Sequence, residues 1–215
     1  MSLTLVLGNK NYSSWSMRAW LLLKTVGAAF DEVMIPIYSD GARDQVRALG
    51  GQTGMVPMLK DGDLAVWDTL AIFEYVAERF GGVWPTDPAD RARARSYAAE
   101  VHAGFNDLRA AMPCNTRARN RRAVITHAVE ADIQRVLEIW ETAGRRDAPW
   151  LFGDFGAADM MFAPIATRFQ SFGYELTGRP LAYQQALLSH PLMLEWLAAG
   201  EAETDVIEAS EIGRG

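Results

Sequence analysis

Three serines, Ser13, Ser14 and Ser16, stand where a short apolar run, LTLVLG, gives way to the helical pattern of SMRAWLLLK. A hydroxyl in the first turn of a helix sits among unpaired backbone N–H groups and a partial positive charge, a setting that favours an anion. From Ser13 to Ser16 the pattern is hydroxyl-x-x-hydroxyl. A serine there can donate a hydrogen bond to a ligand's thiolate and so lower that thiol's pKa. The sulfur would come from the ligand, since a hydroxyl exchanges no disulfide. Taken alone, the three serines read first as helix caps.

The elements that must position them follow from periodicity. Leu3 to Leu7 suits a buried strand, Ser14 to Val26 a helix stopped by Gly27, and FDEVMIPI alternates as a second strand. After YSDGARD comes a short helical piece and the breaker LGGQTG. A hairpin follows, Val56 to Lys60 and Leu64 to Trp67 around a DGD turn. Asp68-Thr69 starts a third helix that runs to Gly81-Gly82. The order is β-α-β-α-β-β-α over residues 1–81. GGVWPTDP reads as a linker, residues 82–88. Residues 89–215 carry almost only helical patterns: Ala89 to Ala111, Arg117 to Gly144, Ala157 to Phe172, Leu181 to Leu188 and Leu192 to Ala199. An α/β module of thioredoxin-like order followed by an all-α module is the simplest parse.

Two more signals fall in the first module. In a thioredoxin-like fold, a proline beginning the third strand after a turn usually has a cis peptide bond. That turns the preceding N–H and C=O outward to hold a peptide-like ligand, and Val56-Pro57 is placed for it. Asp68-Thr69 offers a carboxylate and a hydroxyl at a helix N-terminus, suited to the ammonium and carboxylate of an amino-acid-like group. Three sites then share one edge.

Composition excludes other classes. The chain has 215 residues, 49% hydrophobic and 22% charged, with a formal charge of −6, so it offers no basic field for nucleic acid. The arginines from Arg117 to Arg122 read as a solvated helix face. One cysteine, Cys114, allows no internal disulfide, and His102, His127 and His190 lack ligand spacing. No run is long enough for a signal sequence or a membrane span. The expectation is a metal-free cytoplasmic protein.

The whole chain resembles the cytosolic glutathione S-transferase family. SSWSMRAWLLLK resembles the catalytic segment of the serine-type zeta and tau classes, with Ser13 five residues before Arg18. MVPML matches the Val-Pro segment, DTLAIFEYV the acid-Ser-x-Ala-Ile element, and GDFGAADMMFAP a helix-capping segment of the second module. The resemblance implies a homodimer in which Ser13 activates the thiol of glutathione, as co-substrate, for attack on a small electrophile, with Ser14 in support. It assigns Val56 to the cysteinyl backbone of glutathione, Asp68 and Thr69 to its γ-glutamyl end, and to Pro57 the shape of the loop. Ser13 and Ser14 remain alternatives as the thiolate partner. A non-catalytic glutathione-transferase-like binding protein and a zeta-like glutathione-dependent isomerase are the competing functions. A thiol-disulfide reductase would need cysteines at Ser13 and Ser16.

The sequence also departs from that pattern. Trp15 stands where zeta enzymes have cysteine, which counts against their isomerase reaction. Gly54-Met55 replaces the basic residue before the Val-Pro pair, leaving Arg43 or Gln52 for the glycyl carboxylate, and Gly156 takes the usual hydroxyl cap place. On the electrophile side, AAMPCNTRAR either brings Cys114, Asn115 and Arg117 near the sulfur, with Pro113 ending a helix, or makes a plain helix corner. Trp15 is either an aromatic face of that pocket or core, and Arg168 is a further wall residue.

Overall fold

The computed structural model describes residues 3–143 and 148–214. Its first part runs β1 (Leu3–Gly8), α1 (Ser14–Thr25), β2 (Phe30–Ile35), α2 (Ala42–Ala48), β3 (Met58–Asp61), β4 (Leu64–Trp67) and α3 (Thr69–Phe80). The sheet has the order β2-β1-β3-β4, with β1 and β2 parallel and the other pairs antiparallel. This is the thioredoxin-like arrangement expected. Leu5 and Leu7 point from β1 to the side covered by α1 and α3. Val6 points the other way, where Ile35, Val46 and Met58 form a smaller cluster under α2.

The second part is helical: α4 (Pro88–Ala103), α5 (Asn106–Ala111), α6 (His127–Thr142), α7 (Ala157–Ser171), α8 (Gly178–Ser189) and α9 (Pro191–Ala202). Helix α7 is buried almost throughout and packs against α1, α4 and α8, so one continuous core joins both parts. Asp159 accepts hydrogen bonds from the backbone N–H groups of Gly156 and Leu151, each at 3.0 Å, and from the Tyr183 hydroxyl. Glycine has no side chain to return the bond, so the cap at Gly156 rests on Asp159 alone.

Two expected helices differ. The stretch from Ala89 to Ala111 is two helices, broken at Gly104 and at Phe105, whose φ of 57° turns the chain and buries the ring. The pattern from Arg117 to Gly144 becomes helical only at His127, capped by Thr126, and its expected end at Gly144 lies outside the described residues. The N–H groups of Thr116, Arg117, Arg121 and Arg122 instead donate to Asn11 O, Asn11 Oδ1, Ser171 O and Gly213 O. Partners distant in the chain take the donors that a helix would have used. The arginine cluster is therefore not a solvated helix face.

Candidate functional site

The site begins where β1 stops. A Cβ on Gly8 would stand 2.5 Å from Ile37 Cγ2 and 3.2 Å from both Ser13 Cβ and Val56 Cγ2, so glycine lets the serine turn and the Val-Pro turn converge there. Ser13 is the N-cap of α1, its Oγ accepting from the Ser16 N–H at 3.3 Å. Ser13 Oγ and Ser16 Oγ are 2.7 Å apart, and Ser16 Oγ also accepts from the Gly8 N–H at 2.9 Å. Strand end, cap and first helical turn thus form one hydrogen-bonded unit.

Beside it lies a group of arginines with no carboxylate partner among the described residues. Arg18, fully buried, donates through Nε to Met161 O and through Nη1 to Ser14 O. Arg168 on α7 donates to Arg109 O, Met112 O and, at 3.4 Å, Ser14 Oγ. The Cζ atoms of Arg18 and Arg109 lie 4.3 and 4.6 Å from the centroid of the Trp15 ring, a cation–π arrangement. Burial, then the charges of Arg109 and Arg168, lowers the Arg18 pKa well below its usual value. Burial is also the main cause that brings Arg168 to about 10. Unbalanced positive charge behind Ser14 and Trp15 favours an anion in front of them.

The other edge is built by the loop before β3. Val56-Pro57 is cis, and the sheet register starts one residue later, at Met58 opposite Val6, so the Val56 peptide lies outside the ladder. Gly54, at φ +67°, brings α2 close: a Cβ there would meet Arg43 O at 3.0 Å and Arg47 Nε at 3.3 Å. The register Met58↔Trp67 sets Asp68 beside Pro57. Asp68 caps α3, its Oδ1 accepting from the N–H groups of Leu70 and Ala71.

A cleft of about 870 Å³ runs between these parts, lined by Ser13, Ser14, Trp15, Arg43, Val56, Cys114 and Arg168 among others. Pro57, Asp68, Thr69 and Gln52 do not line it: Pro57 and Thr69 are buried, and Asp68 and Gln52 are exposed. Asn115 and Arg117 are turned away from the cleft. Asn115 bonds Asn11 and Glu211, and Arg117 bonds the carbonyls of Glu203 and Asp205 and the Tyr12 hydroxyl. Burial pushes the Cys114 thiol up, against the pull of Arg168 and Arg18. Sequence reasoning missed Arg109, which carries no local signal, and it singled out Ser16 in the hydroxyl-x-x-hydroxyl pattern without giving it a role in the site.

It missed the chain's end as well. Residues 203–214 lie over the loop before Ser13: Glu203 accepts from the N–H groups of Lys10 and Asn11, and Asp205 from Asn9 Nδ2. Glu211 accepts from the Tyr12 hydroxyl at 2.7 Å and from Asn115, and pairs with Arg121 and Arg214. Among the described residues no cluster of His, Cys, Asp and Glu could hold a metal, and no helix is long and apolar enough to cross a membrane.

Residues 12–79 match the family described as Glutathione S-transferase, N-terminal domain. Glutathione S-transferase GstB of Escherichia coli (strain K12) is 30% identical over 139 residues, 59% of this chain and 64% of that protein, so the match spans under two thirds of the relative's length. Dichloromethane dehalogenase of Methylorubrum extorquens is 38% identical over 58 residues, 26% of this chain and 20% of that protein. A glutathione transferase homolog from Burkholderia gl BGR1, solved with bound glutathione, superposes with a TM-score of 0.74 at 22% identity, covering 94% of this chain and 100% of that one. A diazinon-metabolizing glutathione S-transferase of the silkworm Bombyx mori gives 0.74 at 16% identity, covering 94% and 98%. The chain has the glutathione transferase fold, and its residues 12–79 are similar to the glutathione S-transferase N-terminal domain family.

Proposed function

We propose that the protein is a glutathione S-transferase of the serine type, with a glutathione-binding domain at residues 1–81, a linker at 82–88 and an electrophile-binding domain at 89–215. Glutathione supplies the sulfur nucleophile. Ser13 donates a hydrogen bond to that sulfur from the cap of α1, where the helix N-terminus also favours the thiolate. The Val56 N–H and C=O pair with the cysteinyl backbone, and Asp68 and Thr69 hold the γ-glutamyl end. Arg43, which lines the cleft, suits the glycyl carboxylate better than Gln52, which does not line it. Trp15, Cys114 and Arg168 wall the electrophile side. Leu64, exposed on the edge strand β4, and Met55, exposed in the loop before β3, fit a homodimer, and the composition fits a cytoplasmic protein.

The observation that carries this reading is the convergence of Ser13 and Val56 on Gly8 at one end of the cleft. Stopped-flow absorbance of the glutathione thiolate tests it. The bound thiol is expected to titrate about one to two units below its value in a Ser13→Ala variant, each unit being worth roughly 1.4 kcal/mol. A bound thiol that titrates like free glutathione would leave a binding protein without thiol activation.

A further inference from the structure

Ser16 Oγ is wholly buried and has two partners among the described residues, the Gly8 N–H and Ser13 Oγ. Both members of the 2.7 Å contact are hydroxyls, so the heavy-atom geometry fits either direction of donation. A hydroxyl has one proton and two lone pairs. With Ser13 donating, both lone pairs of Ser16 Oγ are occupied and the Ser16 proton, shut away from water, has no acceptor. That arrangement carries the full desolvation cost of a buried donor. With Ser16 donating, the Gly8 N–H and both the N–H and O–H of Ser16 are satisfied. Ser13 Oγ then accepts from both the O–H and the N–H of Ser16, and the one direction left for its own proton is the cleft.

We propose that Ser16 is a positioning residue for Ser13: held by the Gly8 N–H, its hydroxyl donates to Ser13 Oγ and turns the Ser13 proton toward the ligand's sulfur. The inference rests on the reading of Ser13 as thiolate partner. No proton passes along the chain of bonds; both serines keep theirs, and the thiol's proton leaves to water. Accepting from Ser16 polarises the Ser13 hydroxyl and makes it a stronger donor, as in other chains of hydrogen bonds. Ser14 lacks this support, its Oγ standing instead against Arg168.

The test is the pKa of the thiol of glutathione bound to the full chain, read from thiolate absorbance in Ser13→Ala, Ser16→Ala, Ser16→Thr and the Ser13→Ala/Ser16→Ala double variant. Ser16→Ala is expected to raise the pKa by about half a unit to one unit, less than Ser13→Ala does, because it acts through Ser13. Ser16→Thr, which keeps the hydroxyl, is expected to restore it. The double variant is expected to match Ser13→Ala alone, since the two residues act as a unit. A merely structural Ser16 would lower the melting temperature and leave the thiol pKa in place, overturning the proposal. Additive shifts in the double variant, or a pKa lowered by Ser16→Ala, would also overturn it while leaving Ser13 in its role. No shift in Ser13→Ala would sink the underlying reading, and this one with it. Should Ser16→Ala fail to fold, Ser16→Cys, nearly isosteric and a weak donor, is read by the same criteria.

Discussion

His102 Nε2 stands 2.8 Å from Asp68 Oδ2, so the carboxylate that caps α3 is also held from α4. Asp68→Asn keeps the cap's oxygen and removes the charge. If Asp68 holds the ammonium of glutathione, this variant is expected to weaken glutathione binding about tenfold, roughly 1.4 kcal/mol, with the pKa of the bound thiol little changed. Calorimetric titration gives the first number and thiolate absorbance the second. Unchanged affinity would remove Asp68 from the γ-glutamyl site.

Cys114 lines the cleft but is almost fully buried, and its burial favours the neutral thiol. Cys114→Ala is expected to keep kcat/KM within about tenfold of wild type, or roughly 1.4 kcal/mol in transition-state terms. Alkylation of the native protein by iodoacetamide should be slow and should speed up on unfolding. A larger loss of activity would give this sulfur a part in turnover.

Glu211 ties the chain's end to the loop before Ser13. Burial acts to raise its pKa, but hydrogen bonds from Tyr12, Arg214 and Asn115 and the charge of Arg121 outweigh it and hold the group at about 2, against an ordinary 4.5. A depressed carboxyl contributes stability above its unfolded pKa and loses that contribution as pH falls through the folded one, here between 4.5 and about 2. Glu211→Gln should therefore cost about 1–3 kcal/mol at pH 7, with the gap from wild type narrowing toward pH 3. Denaturant melts at the two pH values check it, and a gap independent of pH would count against the ionic account.

Gly8→Ala would press on Ile37, Ser13 and Val56 together. The expected cost is about 1–3 kcal/mol of stability, with a fall in kcat/KM because both edges of the site must shift. Chemical denaturation and steady-state kinetics separate the two effects. Loss of stability with full activity would mean that Ile37 alone gives way.

The sequence by itself determined the first part of the molecule. Strand alternation, the serines at a helix start, the Val-Pro pair after a glycine turn and the acidic cap at Asp68 are all local signals, and the elements they specify are neighbours along the chain. The local settings of Ser13 at a helix cap, Val56 before a cis proline and Asp68 at a second cap could be read for the same reason. Tertiary structure decided what depends on partners distant in sequence. Arg117 has the neighbours of a helical arginine, yet its guanidinium is held by the carbonyls of Glu203 and Asp205, and the N–H groups around it go to Asn11, Ser171 and Gly213. Trp15 meets Arg18 from its own helix and Arg109 from α5, and no pattern in either segment records that meeting. A buried donor takes whichever acceptor packing brings to it, and packing across the chain's full length is not written in any local window.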